Sequence, residues 1–207
     1  DTLMKADGVA VIFIGIAGAS SKMLVIKGGT IDTTGTMMMI ISLSLGAIVG
    51  EMLDLAGKMI HFGEWLKIKT GNAKDKKFVD GFVTASLTVC IGAMAVVGSI
   101  EDGIHADHSI LFAKAILDFV IILVMSATLG KGCLFSFVPV GLFQGTITLL
   151  ASLISPFITA SAMSALSYIG SILIFCVGVN LVFNTKIRVA NLLPALIVAC
   201  ICTVFPL

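Results

Sequence analysis

Apolar runs of about twenty residues follow one another along the chain, and this is the length at which an α-helix crosses the hydrocarbon core of a bilayer. Of the 207 residues, 58% are hydrophobic and only 12% are charged, whereas soluble domains average about 25% charged residues. A soluble fold of this size would lack polar surface, so we predict a polytopic membrane protein. The seven predicted spans are residues 8–27, 36–56, 79–100, 109–130, 133–157, 165–183 and 189–206.

The predicted fold class is all-α, with residues 1–207 forming a single integral membrane domain. No run has the alternation of about ten residues that a membrane β-strand needs, and open sheet edges cannot face lipid. The fifth run contains two prolines and two glycines, so we predict that it is broken or re-entrant, as in transporters with a midplane site. The first and sixth spans share an aliphatic stretch between two glycines, which suggests an inverted repeat.

The positions of the lysines predict the orientation of the chain. The connection at 57–78 carries six lysines, and the positive-inside rule places such a segment in the cytoplasm. Counting spans forward, the loop 101–108 lies outside, and it has three acidic residues and no Lys or Arg. Lys22 and Lys27 depart from this pattern. Within 57–78 we predict an interfacial amphipathic helix next to the basic loop.

Several function classes are disfavoured by composition and motifs. The formal net charge of +1 provides no basic field for nucleic acid. The five cysteines lack zinc-ligand spacing, so we expect free thiols, no metal and no other cofactor. Asp107, His108 and Ser109 are consecutive, so their side chains diverge and cannot form a catalytic relay. Because GxSxG and HExxH motifs are also missing, we do not expect an enzyme.

Two charged residues inside the fourth span are the clearest functional signal. A charge at bilayer depth costs at least about 2.5–3.5 kcal/mol on insertion scales, so Lys114 and Asp118 require a partner or a purpose. They are four residues apart and therefore share one helix face. Two interpretations remain open: an ion pair that orients the helix, and a cation or proton relay through Asp118.

Amide side chains extend this candidate pathway for an ion or substrate. Gln144 lies in the fifth span, Asn180 in the sixth, and Asn191 precedes Pro194 at the start of the seventh. Such groups commonly bridge neighbouring helices. Asparagines at helix breaks, however, accompany free carbonyls that can coordinate a cation, and the sequence does not separate the two roles.

Asp102, Asp107 and His108 form the predicted outer mouth of the pathway. Asp107 or Ser109 is a suitable N-cap for the helix that follows. Imidazole titrates near neutral pH, which makes His108 a candidate for a pH-sensitive gate. His105 and His108 are three residues apart, but the loop position argues for a solvated or capping cluster rather than a divalent-metal site.

Small residues recur every four positions in the second span, at Ser42, Gly46 and Gly50. Such stripes let membrane helices approach closely where no hydrophobic effect drives their association. We predict close packing here, either within the chain or between protomers, and expect a homo-oligomer.

Five segments together carry a family resemblance. They are LGAIVGEMLDL with HFGEWLK (45–67), FVDGFVTASLTVCIGAMAVVGSIEDG (78–103), DHSILFAKAILD (107–118), FQGTITLLA (143–151) and KIRVANLLPAL (186–196). These resemble the YdfK/YqgA-type bacterial multi-pass membrane proteins, family 554 of the domains of unknown function. The resemblance implies a multi-pass protein of the bacterial inner membrane and implies no substrate.

Members of that family have a further N-terminal stretch, so the resemblance also implies that the intact protein is longer. Asp102, Asp107, His108, Lys114 and Asp118 fit the family pattern, whereas the position of His105 is usually not histidine.

From the charged and amide side chains within the spans, we expect a transporter-like or channel-like protein that contacts lipid and moves a small solute or ion. The alternative is a non-transporting membrane scaffold, or a protein that binds lipid or a partner through its basic loop.

Overall fold

The computed structural model describes residues 2–27, 29–91 and 93–204, and most of these residues are helical. The described part also holds one β-hairpin and three short 3-10 helices. In chain order the elements are α1 (Thr2–Met23), β1 (Leu24–Lys27), β2 (Thr30–Thr33), α2 (Thr36–Leu53), α3 (Leu55–Lys69), α4 (Phe78–Cys90), α5 (Ala93–His105), α6 (Ser109–Leu129), a 3-10 helix (Lys131–Ser136), α7 (Phe137–Leu149), α8 (Ala151–Ile154), a 3-10 helix (Ser155–Phe157), α9 (Ala160–Phe183), a 3-10 helix (Val189–Leu192) and α10 (Pro194–Val204).

The helices confirm the predicted helical membrane class, but not the count of seven spans. Within the described residues, five helical stretches are long and apolar enough to cross a membrane, and the bent pair α4 and α5 makes a sixth if taken as one span. The last predicted run is a shorter apolar helix, Val189–Thr203. The five are Lys5–Met23, Thr36–Leu53, Ser109–Leu129, Lys131–Leu149 and Ala160–Phe183.

The end of the first predicted span is a β-hairpin rather than a helix. Helix α1 ends at Met23, and β1 pairs antiparallel with β2, with Lys27 opposite Thr30. Valine, isoleucine and threonine in these strands favour extended backbone. Gly29 has φ of 85°, a conformation that glycine adopts without steric cost, while Gly28 in the same turn lies outside the described residues.

The broken segment lies in the third predicted run and not in the fifth. Helices α4 and α5 are bent by 63° relative to each other, and Ile91 between them has extended backbone, with ψ of 110°. The fifth run remains one candidate span over Lys131–Leu149. Pro139 is the third residue of α7, where the backbone amide would have no helical acceptor in any case, so this proline does not break the helix.

Glycines bring α1 and α9 together as an antiparallel pair. A Cβ built at Gly8 would lie 2.7 Å from the Val182 side chain, and one at Gly15 would lie 2.6 Å from the Phe175 backbone nitrogen. The partner residue number falls as the glycine number rises, so the helices run in opposite directions. The glycines therefore permit a backbone approach that larger residues would prevent.

The small-residue stripe of α2 is used within the chain. A Cβ at Gly46 would lie 2.4 Å from the Ala195 nitrogen, and one at Gly50 would lie 1.7 Å from the Asn191 carbonyl oxygen. Ser42 on the same stripe is completely buried. The stripe thus packs α2 antiparallel against α10 and the 3-10 helix that precedes it.

The bundle has two distinct ends. At one end the Ala56 nitrogen donates to Asn191 Oδ1 over 2.7 Å, and Gly132 packs against the Phe78 carbonyl. We call this the lysine-rich end, because ten of the thirteen Lys and Arg residues belong to segments that begin or end there. At the other end, the histidine end, Gly103 packs against Thr148.

Replacement of Gly50 by alanine should destabilise the protein, because the new methyl group would overlap a backbone oxygen that cannot move freely. We expect Gly50→Ala to lower the free energy of unfolding by about 1–3 kcal/mol or more, measured by thermal unfolding in detergent. The matched control is Gly170→Ala in α9, where the nearest atom lies at an ordinary 3.5 Å. Equal stability of the two variants would contradict the packing described here.

Candidate functional site

Lys114 and Asp118 form an ion pair on α6. Lys114 Nζ donates to Asp118 Oδ2 and, over 2.9 Å, to the backbone carbonyl of Val89 on α4. The lysine is 6% exposed and the Asp118 side chain is 21% exposed. The structure therefore brings together the two charged residues that the sequence placed on one helix face, and it adds a third partner that the sequence did not indicate.

The bend between α4 and α5 explains why Val89 is part of this cluster. Val89 belongs to the last turn of α4, and the last four carbonyls of a helix have no donor within the helix. These carbonyls carry the partial negative charge of the helix dipole, which is favourable next to a cation. The end of α4 thus places an acceptor beside the Lys114 ammonium group.

The ion pair lies near the middle of its helix. Asp118 is nine residues after Ser109, the first residue of α6, which corresponds to about 14 Å along a helix of about 31 Å at 1.5 Å per residue. A charge at this depth in hydrocarbon is unfavourable unless it is paired or lines a polar cavity. Lys114 and Asp118 are paired with each other, and both residues line cavities.

A first cavity of about 340 Å³ opens between α6 and the segment that runs from the 3-10 helix into α7. Lys114 and Asp118 reach it from α6, and Ser136 and Gln144 reach it from the other wall. Apolar side chains make up the rest of its lining. They are Val89, Leu111, Ala115, Phe119, Ile122, Leu134, Phe137 and Val140.

A second cavity of about 270 Å³ lies between α6, the break after α4, and α9. Its polar lining consists of Thr88 on α4 and of Ser167 and Ser171 on α9, together with Lys114 and Asp118. Val89, Lys114 and Asp118 line both cavities. The ion pair and the end of α4 therefore form the partition between the two cavities.

Asn180 and Asn191 line neither of these cavities and lie at the lysine-rich end. Asn180 Oδ1 accepts from the Ile187 nitrogen over 3.0 Å and from Thr185 Oγ1 over 2.6 Å, so the amide holds the connection after α9. Asn191 is 1% exposed, and its oxygen accepts from the second residue of α3, Ala56. Asn180 thus holds the connection after α9, and Asn191 holds the start of α3, so both amides bond to backbone away from the ion pair.

The predicted outer mouth forms a compact cluster at the histidine end. His108 pairs with Asp102, and His105 Nδ1 lies 2.7 Å from Glu101 Oε2. The Asp107 carboxylate accepts from the Ser109 nitrogen over 2.9 Å, and hydrogen bonds from the Ser109 side chain and backbone lower the pKa of Asp107 from its ordinary value. The N-cap of α6 is His108 rather than Asp107 or Ser109, and its pairing with Asp102 connects α6 to the end of α5.

The described residues contain no group of three or more His, Cys, Asp or Glu side chains arranged to hold a metal ion. His105 and His108 each pair with a different carboxylate. Their arrangement thus corresponds to two separate histidine–carboxylate pairs.

A further polar cluster at the lysine-rich end was missed by sequence reasoning. Arg188 Nη1 lies 3.4 Å from Glu51 Oε2 and 3.8 Å from Asp54 Oδ1. Asp54 has φ of 44° at the junction of α2 and α3. The three side chains are more than half exposed. Arg188 is more than 130 positions from the two acidic residues, and no sequence motif indicates a contact over that separation.

Ser167 and Ser171 were also missed by sequence reasoning, because only the tertiary packing brings α9 to the second cavity.

A bundle of apolar helices with a paired charge at mid-depth defines an integral membrane protein, which contacts the lipid bilayer. The chain belongs to the family described as protein of unknown function (DUF554), which matches residues 1–204. The uncharacterized membrane protein YdfK of Bacillus subtilis (strain 168) is 27% identical over 199 residues, which cover 96% of this chain and 80% of YdfK. The uncharacterized protein YqgA of Escherichia coli (strain K12) is 27% identical over 199 residues, which cover 93% of this chain and 79% of YqgA. No solved structure matches the chain.

Removing one member of the ion pair should cost more stability than removing both. Lys114→Met leaves the Asp118 carboxylate and the Val89 carbonyl without their donor, so we expect a loss of about 3–5 kcal/mol. Lys114→Met combined with Asp118→Leu removes both charges and should approach wild-type stability. Thermal unfolding in detergent measures both effects, with exposed Lys131→Met as the control. A double variant less stable than the single one would contradict this account of the pair.

Proposed function

We propose that this protein moves a small solute or ion across the membrane, and that the Lys114–Asp118 pair is the gate between two half-pathways. The observation that carries the proposal is the position of the pair, which separates two cavities at mid-depth. Charged and polar groups at the midplane beside a broken helix are typical of transporter binding sites. Gln144 belongs to this pathway, because it lines the first cavity.

The proposed gate works by exchange of partners. In the present arrangement Lys114 is held by the end of α4 and by Asp118, so the partition is closed. A passing solute or ion would replace one of these partners for a time, and the break after α4 allows the two halves of that span to move separately. No covalent step is involved, so the proposal is for a transporter or channel rather than an enzyme.

The proposed location is the bacterial inner membrane, with the lysine-rich end in the cytoplasm. Support comes from the collection of ten of the thirteen Lys and Arg residues at that end and from the positive-inside rule. Asp102, Asp107 and His108 would then form the outer mouth. Helix α3, with the basic segment after it, would lie along the cytoplasmic membrane interface.

An inverted repeat is also part of the proposal. Helix α1 pairs antiparallel with α9, α2 pairs antiparallel with the shorter α10, and each pair is in contact through small residues. Such relations between the beginning and the end of a chain are typical of inverted-repeat transporters. Their substrate sites lie at the interface of the repeats.

A flux measurement tests the proposed function. Purified protein in proteoliposomes should move at least one of three probes faster than empty vesicles: protons, reported by an entrapped pH dye, radiolabelled sodium, or radiolabelled leucine. Asp118→Asn should reduce that flux at least tenfold, because it removes the charge at the partition. Asp80→Asn, an exposed position on α4, should leave it unchanged. Wild-type vesicles that match empty ones for all three probes, or normal flux with Asp118→Asn, would overturn the proposal.

A membrane scaffold is the second candidate, and it is favoured by the mutual satisfaction of Lys114, Asp118 and Val89. In a scaffold the pair only orients α6. Flux through the wild-type protein separates the two candidates, because a scaffold moves no probe. The variant Lys114→Met/Asp118→Leu, which should stay folded, then loses that flux if the pair is the gate.

We propose in addition that the protein is a homo-oligomer that associates through α7. Helix α7 has no buried residue, and among the described residues no atom outside its own helix backbone and chain neighbours lies within 4 Å of a Cβ built at Gly141 or Gly145. These glycines form a GxxxG stripe, which favours close helix association in membranes.

The oligomer can be tested by enlarging one of these glycines. Gly145→Leu should convert the oligomer to a monomer, measured by light scattering in mild detergent and by cross-linking in native membranes. The control is Ala127→Leu, which makes a similar enlargement at an exposed position of α6 and should leave the oligomer intact. A monomeric wild-type protein, or an unchanged oligomer with Gly145→Leu, would refute the interface.

A further inference from the structure

The charges that line the two cavities balance each other. Among the lining residues of both cavities, Lys114 is the one cation and Asp118 is the one anion. The remaining side chains are neutral and mostly apolar. A solute with a net charge would therefore be buried at mid-depth without a counter-charge, which is costly in a medium of low dielectric constant. The lining favours a solute whose own charges sum to zero.

Each member of the ion pair retains one unused bonding position. An ammonium group has three hydrogen-bond donors, and the described residues take two of those of Lys114, through the Val89 carbonyl and Asp118 Oδ2. The Asp118 carboxylate has a second oxygen, Oδ1, which accepts no hydrogen bond from the described residues. One donor of Lys114 and one acceptor of Asp118 thus have no partner among the described residues, and both residues line both cavities.

A ligand that offers an anionic acceptor and a cationic donor on neighbouring atoms matches this arrangement. Its carboxylate would accept from the third Lys114 proton, and its ammonium group would donate to Asp118 Oδ1. Four charges of alternating sign would then be adjacent. Charge-assisted hydrogen bonds of this kind are about twice as strong as neutral ones.

The size and the apolar wall of the first cavity restrict the rest of the ligand. Its volume of about 340 Å³ is at the lower end of the range of about 300–1,000 Å³ for small-molecule sites. Phe119 and Ile122 line it beside the charged groups on α6, and Phe137 lines it from α7. An aliphatic side chain would remove this surface from contact with water or lipid.

From this complementarity we propose that the cavity at Lys114 and Asp118 binds a small zwitterion with an apolar side chain, of the α-amino-acid type. This inference rests on the proposed function as far as transport of the ligand is concerned, but binding itself can be measured separately.

Four probes that share an isobutyl group test the inference on the purified full chain. They are L-leucine, isoamylamine, 4-methylpentanoate and 4-methylpentanamide, which are zwitterionic, cationic, anionic and neutral. The dissociation constants follow from the dose-dependent rise in Tm in nanodiscs. We expect leucine to bind at least tenfold more tightly than either singly charged probe and than the amide. Equal affinity of any other probe, or no binding of leucine, would overturn the inference.

Charge-changing variants give a second and independent readout. Asp118→Asn makes the site cationic and should shift the preference from leucine to 4-methylpentanoate. Lys114→Met makes it anionic and should shift the preference to isoamylamine. Asp80→Asn and Lys131→Met change the same net charge away from the cavities and should keep the preference for leucine. If the site variants unfold, the ranking of the four probes on the wild-type protein still decides.

The two proposals can fail separately. Leucine binding with the expected ranking, together with vesicles that move no probe, would overturn transport and keep the zwitterion site. Flux that depends on Asp118, together with a failed ranking, would overturn the zwitterion site and keep transport.

Discussion

The buried ammonium group of Lys114 is the constraint on which the centre of this structure depends. A cation at mid-depth of a membrane helix must be paired, because neither lipid nor apolar side chains solvate it. Asp118 supplies the counter-charge one turn along the same helix, and the last turn of α4 supplies a carbonyl. The bend between α4 and α5 leaves that carbonyl available, and the resulting cluster lines both cavities.

Small residues hold the helices around that centre. In lipid there is no hydrophobic driving force between helices, so association relies on close contact and on hydrogen bonds. Gly8 and Gly15 bring α1 against α9, and Gly46 and Gly50 bring α2 against α10. The beginning of the chain is thereby packed against its end, while α6 and α7 keep largely exposed outer faces. Helix α9 belongs to both parts, because it packs against α1 and also lines the second cavity.

Some features of this structure could be predicted from the sequence, and others could not. Hydropathy predicted the helical class, because the cost of exposing backbone polar groups in lipid leaves few alternatives. It could not place the break, because Pro139 falls in the first turn of α7, where it is tolerated, while the break at Ile91 has no proline. The spacing of Lys114 and Asp118 predicted their pairing. Val89 could not be predicted, because its contribution is a backbone carbonyl that the side chain does not reveal.

The sequence by itself determined that this chain enters a membrane as apolar helices, that its basic segments share one end, and that two opposite charges meet on one face of α6. These properties depend on composition, length and spacing along the chain, which are local. Only the tertiary structure decided that Gln144 faces the pair while Asn180 and Asn191 fix backbone elsewhere. The same is true of the cavity between α6 and α9. Those outcomes depend on how helices distant in sequence pack together, and spacing along the chain does not encode the rotation and depth at which they meet.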